Sequence, residues 1–500
     1  MKKNIIRTAA LSALLFVSGL SASAQQKSYN VPELNPEFQA MAQLVVDNQL
    51  SDPAAANKNF TKLLKKIKDN KEALLAVGHF FLENNNYPAA KQCANYIEKA
   101  DPVYIDGLMF RGEVFMYAKQ YGQAGQCFDQ VLALDENNVI AMKRNAFVYK
   151  NVNPYVAIEQ LTKIKEIQPD YYAADKELGD INYNMNKYPE AVKYYDVYYA
   201  NTPKTAEALD IRSCENYLMS LFSVQKMEQI SQVVSEIEPL APKDLMIRRM
   251  KFFASFESAR NSINYEADMA KVAENMAYLT NNEYADSVFI FLDYQYAAEY
   301  KKEMNDIPAA IEFYKKAISS DEKKVAAIAE LAKLYRRNKQ YDEAIATYME
   351  YMTKLGDDKV KVADYLQLAQ MYLPILRQTT LTPEQKQEYL NKGDEALVKA
   401  LEKDPTAYQA WLLRAQMNIT NPSTPEEKPR EYYEKAIEVM TANQKGSESN
   451  YATAYAYLAF YNVQKDNYAE ARKYTDLLLK VDPEHATGLQ IDKYLKSQNK

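Results

Sequence analysis

Between Glu177 and Pro203 the chain reads ELGDINYNMNKYPEAVKYYDVYYANTP. Its apolar residues follow helical spacing through Leu178, Gly179 and Tyr183, break at the polar turn MNK, and resume with Tyr195 and Tyr198. This pattern predicts two helices joined by a short turn. Proline in Tyr188-Pro-Glu-Ala191 opens the second helix without losing a hydrogen bond, because an amide in a first helical turn has no intrahelical partner. Pro203 closes it, since it cannot donate the amide bond that a continuing helix needs.

The set recurs. Gly78, Gly112, Ala146 and Gly179 follow one another at steps of 34, 34 and 33, and Ala90, Ala124, Ala157 and Ala191 at steps of 34, 33 and 34. A shared period of this kind is an internal repeat. The short step places a one-residue deletion near Asn151 to Pro154, read here as a shortened turn. Pro102, Pro169 and Pro203 keep the phase, with Glu136 where a further proline would stand. In the second half Ala298 and Ala332, Ala310 and Ala344, and Tyr314 and Tyr348 repeat the step of 34. Second-helix openings like Tyr188-Pro-Glu-Ala191 return as Tyr87-Pro-Ala-Ala90, Tyr121-Gly-Gln-Ala124, Tyr341-Asp-Glu-Ala344 and Tyr468-Ala-Glu-Ala471. Closely crossing antiparallel helices need small side chains at the contact, so Gly179 and Ala191 are expected to be the two halves of one crossing.

These residues resemble the tetratricopeptide repeats, whose pattern of Leu-Gly, Tyr, Ala, an aromatic residue, Ala and a terminal Pro returns with the same period. On that template Trp411 and Ala415 match a late first helix, and Leu458, Ala459, Ala471 and Pro483 match the last unit. Units fall at 37–70, 71–104, 105–138, 139–171, 172–205, 291–324, 325–358 and 452–485. The resemblance implies an all-α fold, a right-handed α-solenoid of stacked antiparallel helix pairs, as one array or as two joined by a degenerate middle. The expected division is an N-terminal linker at 25–36, a first array at 37–205, degenerate repeats or a junction at 206–290, and a second array at 291–485. Inserted loops are expected near 379–386, which moves the small position to Gly393, and near 420–429; residues 486–500 read as a capping helix and tail.

The stretch from Met1 to Ala24 changes the picture of where the chain works. Lys2, Lys3 and Arg7 precede an apolar run from Ala9 to Leu20 and an Ala22-Ser23-Ala24 cleavage site, the pattern of a cleaved signal peptide at 1–24. A mature protein beginning at Gln25 is expected in the periplasm, with secretion as the second choice and no membrane span left after cleavage. Removing those three cations leaves 58 Lys and Arg against 67 Asp and Glu, near −9. Nucleic acid is not an expected partner, because counterion release needs clustered Lys and Arg.

Candidate chemistry is sparse. The chain has no P-loop, H-E-x-x-H, G-x-S-x-G or C-x-x-C motif, and its two histidines, His79 and His485, lie far apart. No catalytic residue, cofactor or metal site is expected. Cys93 and Cys127 are one full repeat apart, at equivalent positions of adjacent units, too distant for a bridge, and are expected to be buried thiols.

What remains is binding. The resemblance implies a concave surface lined by first helices, suited to a protein or peptide partner in the cell envelope. On the template Lys143, Phe147, Lys150, Lys176 and Tyr183 face it, a basic stripe with aromatic interleaving fit for an acidic or C-terminal segment. The asparagines of the family's carboxylate clamp are missing, and Phe147 stands where one would be. A second, more apolar groove would comprise Leu412, Gln416, Tyr457, Phe460 and Val463. The alternatives to a scaffold are a chaperone-like holdase for envelope proteins and a carbohydrate-binding module using tyrosines. The sequence leaves the oligomeric state open.

Overall fold

The computed structural model describes residues 29–498, so the signal peptide and residues 25–28 of the expected linker lie outside the described residues. Among the described residues there are 25 α-helices and no strand, arranged as twelve consecutive helix pairs and a last single helix. The chain divides near residue 275 into two compact units.

The first unit holds seven pairs. They are α1 (Pro36–Asn48) with α2 (Pro53–Ile67), α3 (Lys71–Glu83) with α4 (Tyr87–Ala100), α5 (Ile105–Tyr117) with α6 (Tyr121–Leu134), and α7 (Val139–Tyr149) with α8 (Pro154–Ile167). Then come α9 (Tyr172–Asn184) with α10 (Tyr188–Asn201), α11 (Ile211–Ser223) with α12 (Met227–Ile237), and α13 (Leu245–Ala259) with α14 (Tyr265–Met276). Each internal repeat boundary expected between 37 and 205 falls between helices.

The second unit has α15 (Phe291–Glu303) with α16 (Ile307–Ser320), α17 (Ala326–Arg337) with α18 (Tyr341–Leu355), and α19 (Val362–Leu376) with α20 (Pro383–Lys403). It ends with α21 (Tyr408–Ile419) and α22 (Glu427–Ala442), α23 (Glu448–Gln464) and α24 (Tyr468–Val481), and the single helix α25 (Ala486–Ser497). Ile491 and Leu495 of α25 are buried against Ala459 and Ala471, so this helix covers the apolar end of the last pair.

The turn inside the pairs is built the same way in seven of them. One residue adopts the left-handed conformation (Asn85, Lys119, Asn186, Gln225, Asn305, Lys339, Asp466), and the next amide reaches five residues back, as Asn86 N–H does to the Phe81 carbonyl at 2.8 Å. This is a Schellman turn, which satisfies carbonyls that the end of a helix would otherwise orphan. In the α3–α4 turn Asn86 then caps the second helix, its side chain accepting from the Ala89 amide.

The small positions are in the core: Ala90, Ala124, Ala191, Ala332, Ala344, Ala459 and Ala471 are fully buried. The glycines do more than admit a methyl. A Cβ on Gly179 would lie 2.6 Å from the Tyr195 ring, one on Gly112 2.4 Å from Phe128, and one on Gly78 2.6 Å from Phe110 of the next pair. The crossing at Gly179 is thus filled by an aromatic ring four residues beyond Ala191. Pro102, Pro203 and Pro483 each follow a helix end by one or two residues.

Two expectations need correction. The deletion near Asn151 is taken from the end of the first helix: α7 has 11 residues where α5 has 13, the connection is not shortened, and the left-handed residue is lost. Residues 383–386 are helical, because Thr382 and Gln385 form a capping box with Pro383 at the first position and start α20 early. That insertion becomes helix, giving α20 21 residues where α16 has 14. In the stretch expected as degenerate repeats or a junction, 211–276 consists of two further pairs and 277–290 carries no α-helix. The period is lost there because the connection at 202–210 is longer than the one at 101–104. With helix starts aligned, Leu218 and Ile230 occupy the positions of Gly179 and Ala191, both fully buried.

Candidate functional site

The first-helix face of the first unit has its own side-chain series. His79, Glu113, Phe147 and Asp180 occupy equivalent positions on α3, α5, α7 and α9, each one position beyond the small residue of its repeat. Each has a different setting.

Of the expected residues, Lys150 is brought to Phe147, while Lys143, Lys176 and Tyr183 find partners of their own. Phe147 remains 36% exposed, with Tyr121 edge-on to it at 6.4 Å between ring centres. Lys150 Nζ lies 5.0 Å from the Phe147 ring centre and 3.3 Å from Glu177 Oε2. Lys143 Nζ sits 3.7 Å over the Tyr171 ring, a cation–π contact, and burial pushes its pKa down. Tyr183 packs edge-on to Tyr188, and burial raises its phenol.

Lys176 is mostly enclosed. Its Nζ lies 3.1 Å from Asp210 Oδ2, 3.3 Å from Glu177 Oε1 and 3.5 Å from Asp180 Oδ2. Burial alone would lower its pKa, but these three carboxylates outweigh it and hold the ammonium above the ordinary lysine range. Asp180 also accepts from Tyr195 Oη at 2.7 Å, Ser213 Oγ at 3.0 Å and Asn216 Nδ2 at 3.2 Å. The stripe read as basic therefore carries both signs, and its cations are answered within the fold.

The face is covered at its start. Tyr29 is 7% exposed, edge-on to His79 and Phe110 at 5.6 and 5.7 Å between ring centres. Its hydroxyl lies 2.8 Å from His79 Nδ1, and His79 Nε2 lies 3.0 Å from Glu83 Oε1. Asn30 N–H donates to Asp106 Oδ1 at 3.0 Å, and Val31 and Leu34 pack against the core of this unit. Residues 29–34, expected as linker, are thus bound across α3 and α5. No periodic signal marks them; only the aromatic side chain of Tyr29 hints at burial.

In the second unit the alternative groove is divided. Leu412 is buried among Ala415, Tyr433 and Leu458, and Val463 packs against the cluster that α25 completes, so neither lines a surface. Gln416 is half-buried and Tyr457 lies 4.8 Å from the Tyr433 ring, leaving Phe460, 48% exposed, as the open apolar side chain. Nearby, the Arg414 guanidinium lies 5.0 Å from the Trp411 ring centre and 4.6 Å from that of Tyr432, and pairs with Asp394 through both Nε and Nη2.

Cys93, Cys127 and Cys214 are buried free thiols; burial pushes them up to about 12, 11 and 12, so they stay protonated at neutral pH. Among the described residues no group of three or more His, Cys, Asp or Glu is placed to hold a metal ion, and no helix is long and apolar enough to cross a membrane.

Comparison with known proteins adds the following. Residues 302–363 match the tetratricopeptide repeat family. A TPR repeat-containing protein of Methanocaldococcus jannaschii is 23% identical over 340 residues, which are 59% of this chain and 59% of that relative. Among solved structures, the C-terminal part of a TPR repeat-containing protein from Cytophaga hutchinsonii is similar, with a TM-score of 0.43 and 19% identity, covering 55% of this chain and 98% of that one. YrrB, a TPR protein with an unusual peptide-binding site, has a TM-score of 0.33 and 16% identity, covering 38% of this chain and 95% of its own.

Proposed function

We propose, from the premise that this chain is a tetratricopeptide-repeat protein, that it is a non-catalytic scaffold of the bacterial envelope holding a protein or peptide segment on the first-helix face of its first unit. Such repeats generally mediate protein–protein interaction. The observation that supports this site is Phe147: an aromatic ring left open on a face whose neighbouring charges are already matched. A segment that docks there gains ring contact at Phe147 and Tyr183, and its carboxylates compete for Lys143 and Lys150 without disturbing Lys176. Export is supported by the cationic start, apolar run and Ala22-Ser23-Ala24 site.

The test is a crosslinking pull-down from envelope extract, followed by affinity measurement with the isolated partner. The variant Phe147→Ala with Lys143→Glu and Lys150→Glu is expected to bind at least about tenfold more weakly, since charge-assisted bonds contribute about 1.5–3 kcal/mol each. Rising salt weakens the wild-type complex in parallel. Unchanged affinity removes this site. Indiscriminate binding of unfolded outer-membrane proteins, or of glycan alone, replaces the scaffold by a holdase or a carbohydrate-binding module. Edman sequencing of the mature protein is expected to start at Gln25; an intact Met1 in the cytoplasm overturns the location.

A further inference from the structure

The segment 29–34 is bound in the manner of a ligand. It is extended rather than helical, and it touches the first-helix face through one buried ring, one backbone amide and two apolar side chains. The ring is held on two sides by His79 and Phe110. Its hydroxyl is specified as well as its ring: burial first, then the carboxylates of Glu113 and Glu83, keep the phenol protonated. A protonated phenol donates to His79 Nδ1, leaving Nε2–H to face Glu83. The Asp106 carboxylate takes the following amide, so the site reads an aromatic hydroxyl and the main chain after it.

We propose that this place on α3 and α5 is a recognition notch for a tyrosine on an extended segment of a partner protein, and that residues 29–34 occupy it in the free protein as a built-in competitor. The proposal rests on the reading of the first-helix face as the binding surface and adds an occupant for its N-terminal stretch. The competitor is attached to α1 at Pro36 by a short run, so its local concentration is on the order of millimolar. A free segment of equal intrinsic affinity must exceed that concentration to displace it, and a partner that binds at lower concentration does so by also engaging the face beyond Phe110. Displacement then couples partner binding to release of the chain's own N-terminal residues.

The probe is a fluorescein-labelled peptide of residues 28–34, Ser-Tyr-Asn-Val-Pro-Glu-Leu, with a second peptide carrying alanine for tyrosine. The mature full-length protein and its Tyr29→Ala variant are titrated by fluorescence anisotropy. Tyr29→Ala, with its notch open, is expected to bind the tyrosine peptide roughly tenfold or more tightly than wild type does, given the millimolar competitor in wild type. It is also expected to bind the alanine peptide at least tenfold more weakly. Equal affinity of both proteins, no binding by either, or equal binding of both peptides overturns the proposal. Should Tyr29→Ala fold poorly, hydrogen exchange of residues 29–34 in wild type supplies the reading: excess tyrosine peptide accelerates exchange there and the alanine peptide does not. A wild-type dimer that dissociates on adding peptide would mean that a second copy, not a partner, fills the notch. Lys143→Glu with Lys150→Glu leaves the peptide titration unchanged, so failure of the Phe147 site and failure of the notch are read separately.

Discussion

Two stretches of one helix face meet opposite fates. At α3 and α5, His79 and Glu113 surround a ring that the chain itself supplies, while at α7 and α9, two repeats later, Phe147 stays open and Asp180 gathers a lysine, a tyrosine, a serine and an asparagine. His79, Glu113, Phe147 and Asp180 are equivalent positions on the first helices of their repeats, although α7 is two residues shorter than α5. The difference at these four positions lies in their side chains. A repeat scaffold fixes where side chains can stand, and their chemistry decides whether a place is occupied, open or internally satisfied.

The comparison breaks most severely at Lys176. Replacing it by Glu brings a fourth carboxylate to Glu177, Asp180 and Asp210, and removal of one partner from an enclosed ion cluster costs about 3 kcal/mol or more. Lys143→Glu or Lys150→Glu, on more open ground, shifts stability by about 0.5 kcal/mol or less. Denaturant melts of the three single variants check the contrast; equal losses would mean that the cluster around Lys176 is not formed.

Next in size are the glycines under each stretch. Gly179→Val drives a methyl-bearing carbon into Tyr195, and Gly78→Val does the same to Phe110, so each is expected to lose about 1–3 kcal/mol by overpacking. Because Phe110 also supports Tyr29, Gly78→Val additionally speeds hydrogen exchange at 29–34, whereas Gly179→Val leaves that segment protected.

A third stretch of the face, on α11, responds to pH. Glu215 is pushed up to about 7, first by burial and then by its hydrogen bond with Asp244 and that group's charge, with Arg212 opposing. Its raised value means that the folded state holds the proton more tightly than the unfolded one. Its stabilising contribution is complete below the ordinary glutamate range and is lost as pH rises through about 7. Glu215→Gln, which stays neutral, is expected to match wild type at pH 4 and to melt at a higher temperature at pH 8. A pH-independent difference would show that the proton is not shared there.

The smallest effect is expected at Gly122 in α6, where an added Cβ meets nothing within 4 Å. Gly122→Ala should raise stability by about 0.4–1 kcal/mol, chiefly by restricting the unfolded chain.

Periodicity made the helix pairs legible, down to Gly393, whose Cβ position is closed by Met417 and Tyr372 as its shifted phase implies. It failed where the physics is not periodic. Residues 29–34 carry no helical spacing, so they read as linker although Tyr29 is buried. Lys176 read as part of a basic stripe because one of its carboxylates, Asp210, lies a full repeat further on, in the longer connection before α11. Leu412 read as a groove residue because the template counts positions, whereas in the fold it is buried among Ala415, Tyr433 and Leu458. The expectation of a signal peptide lies outside the described residues.

The missing left-handed residue after α7 has a mechanical consequence. There the amides of Val152 and Asn153 both converge on the Tyr149 carbonyl, at 2.9 and 2.8 Å, in place of the two separate bonds that close a Schellman turn. Both bonds depend on one acceptor, so displacing the Tyr149 carbonyl releases both donors together, whereas the two bonds of a neighbouring turn are lost separately. This is also the joint that carries Phe147 and Lys150. A deletion that leaves the stacking intact thus places compliance beneath the open Phe147 ring, where a surface that must adjust to an incoming chain has most use for it.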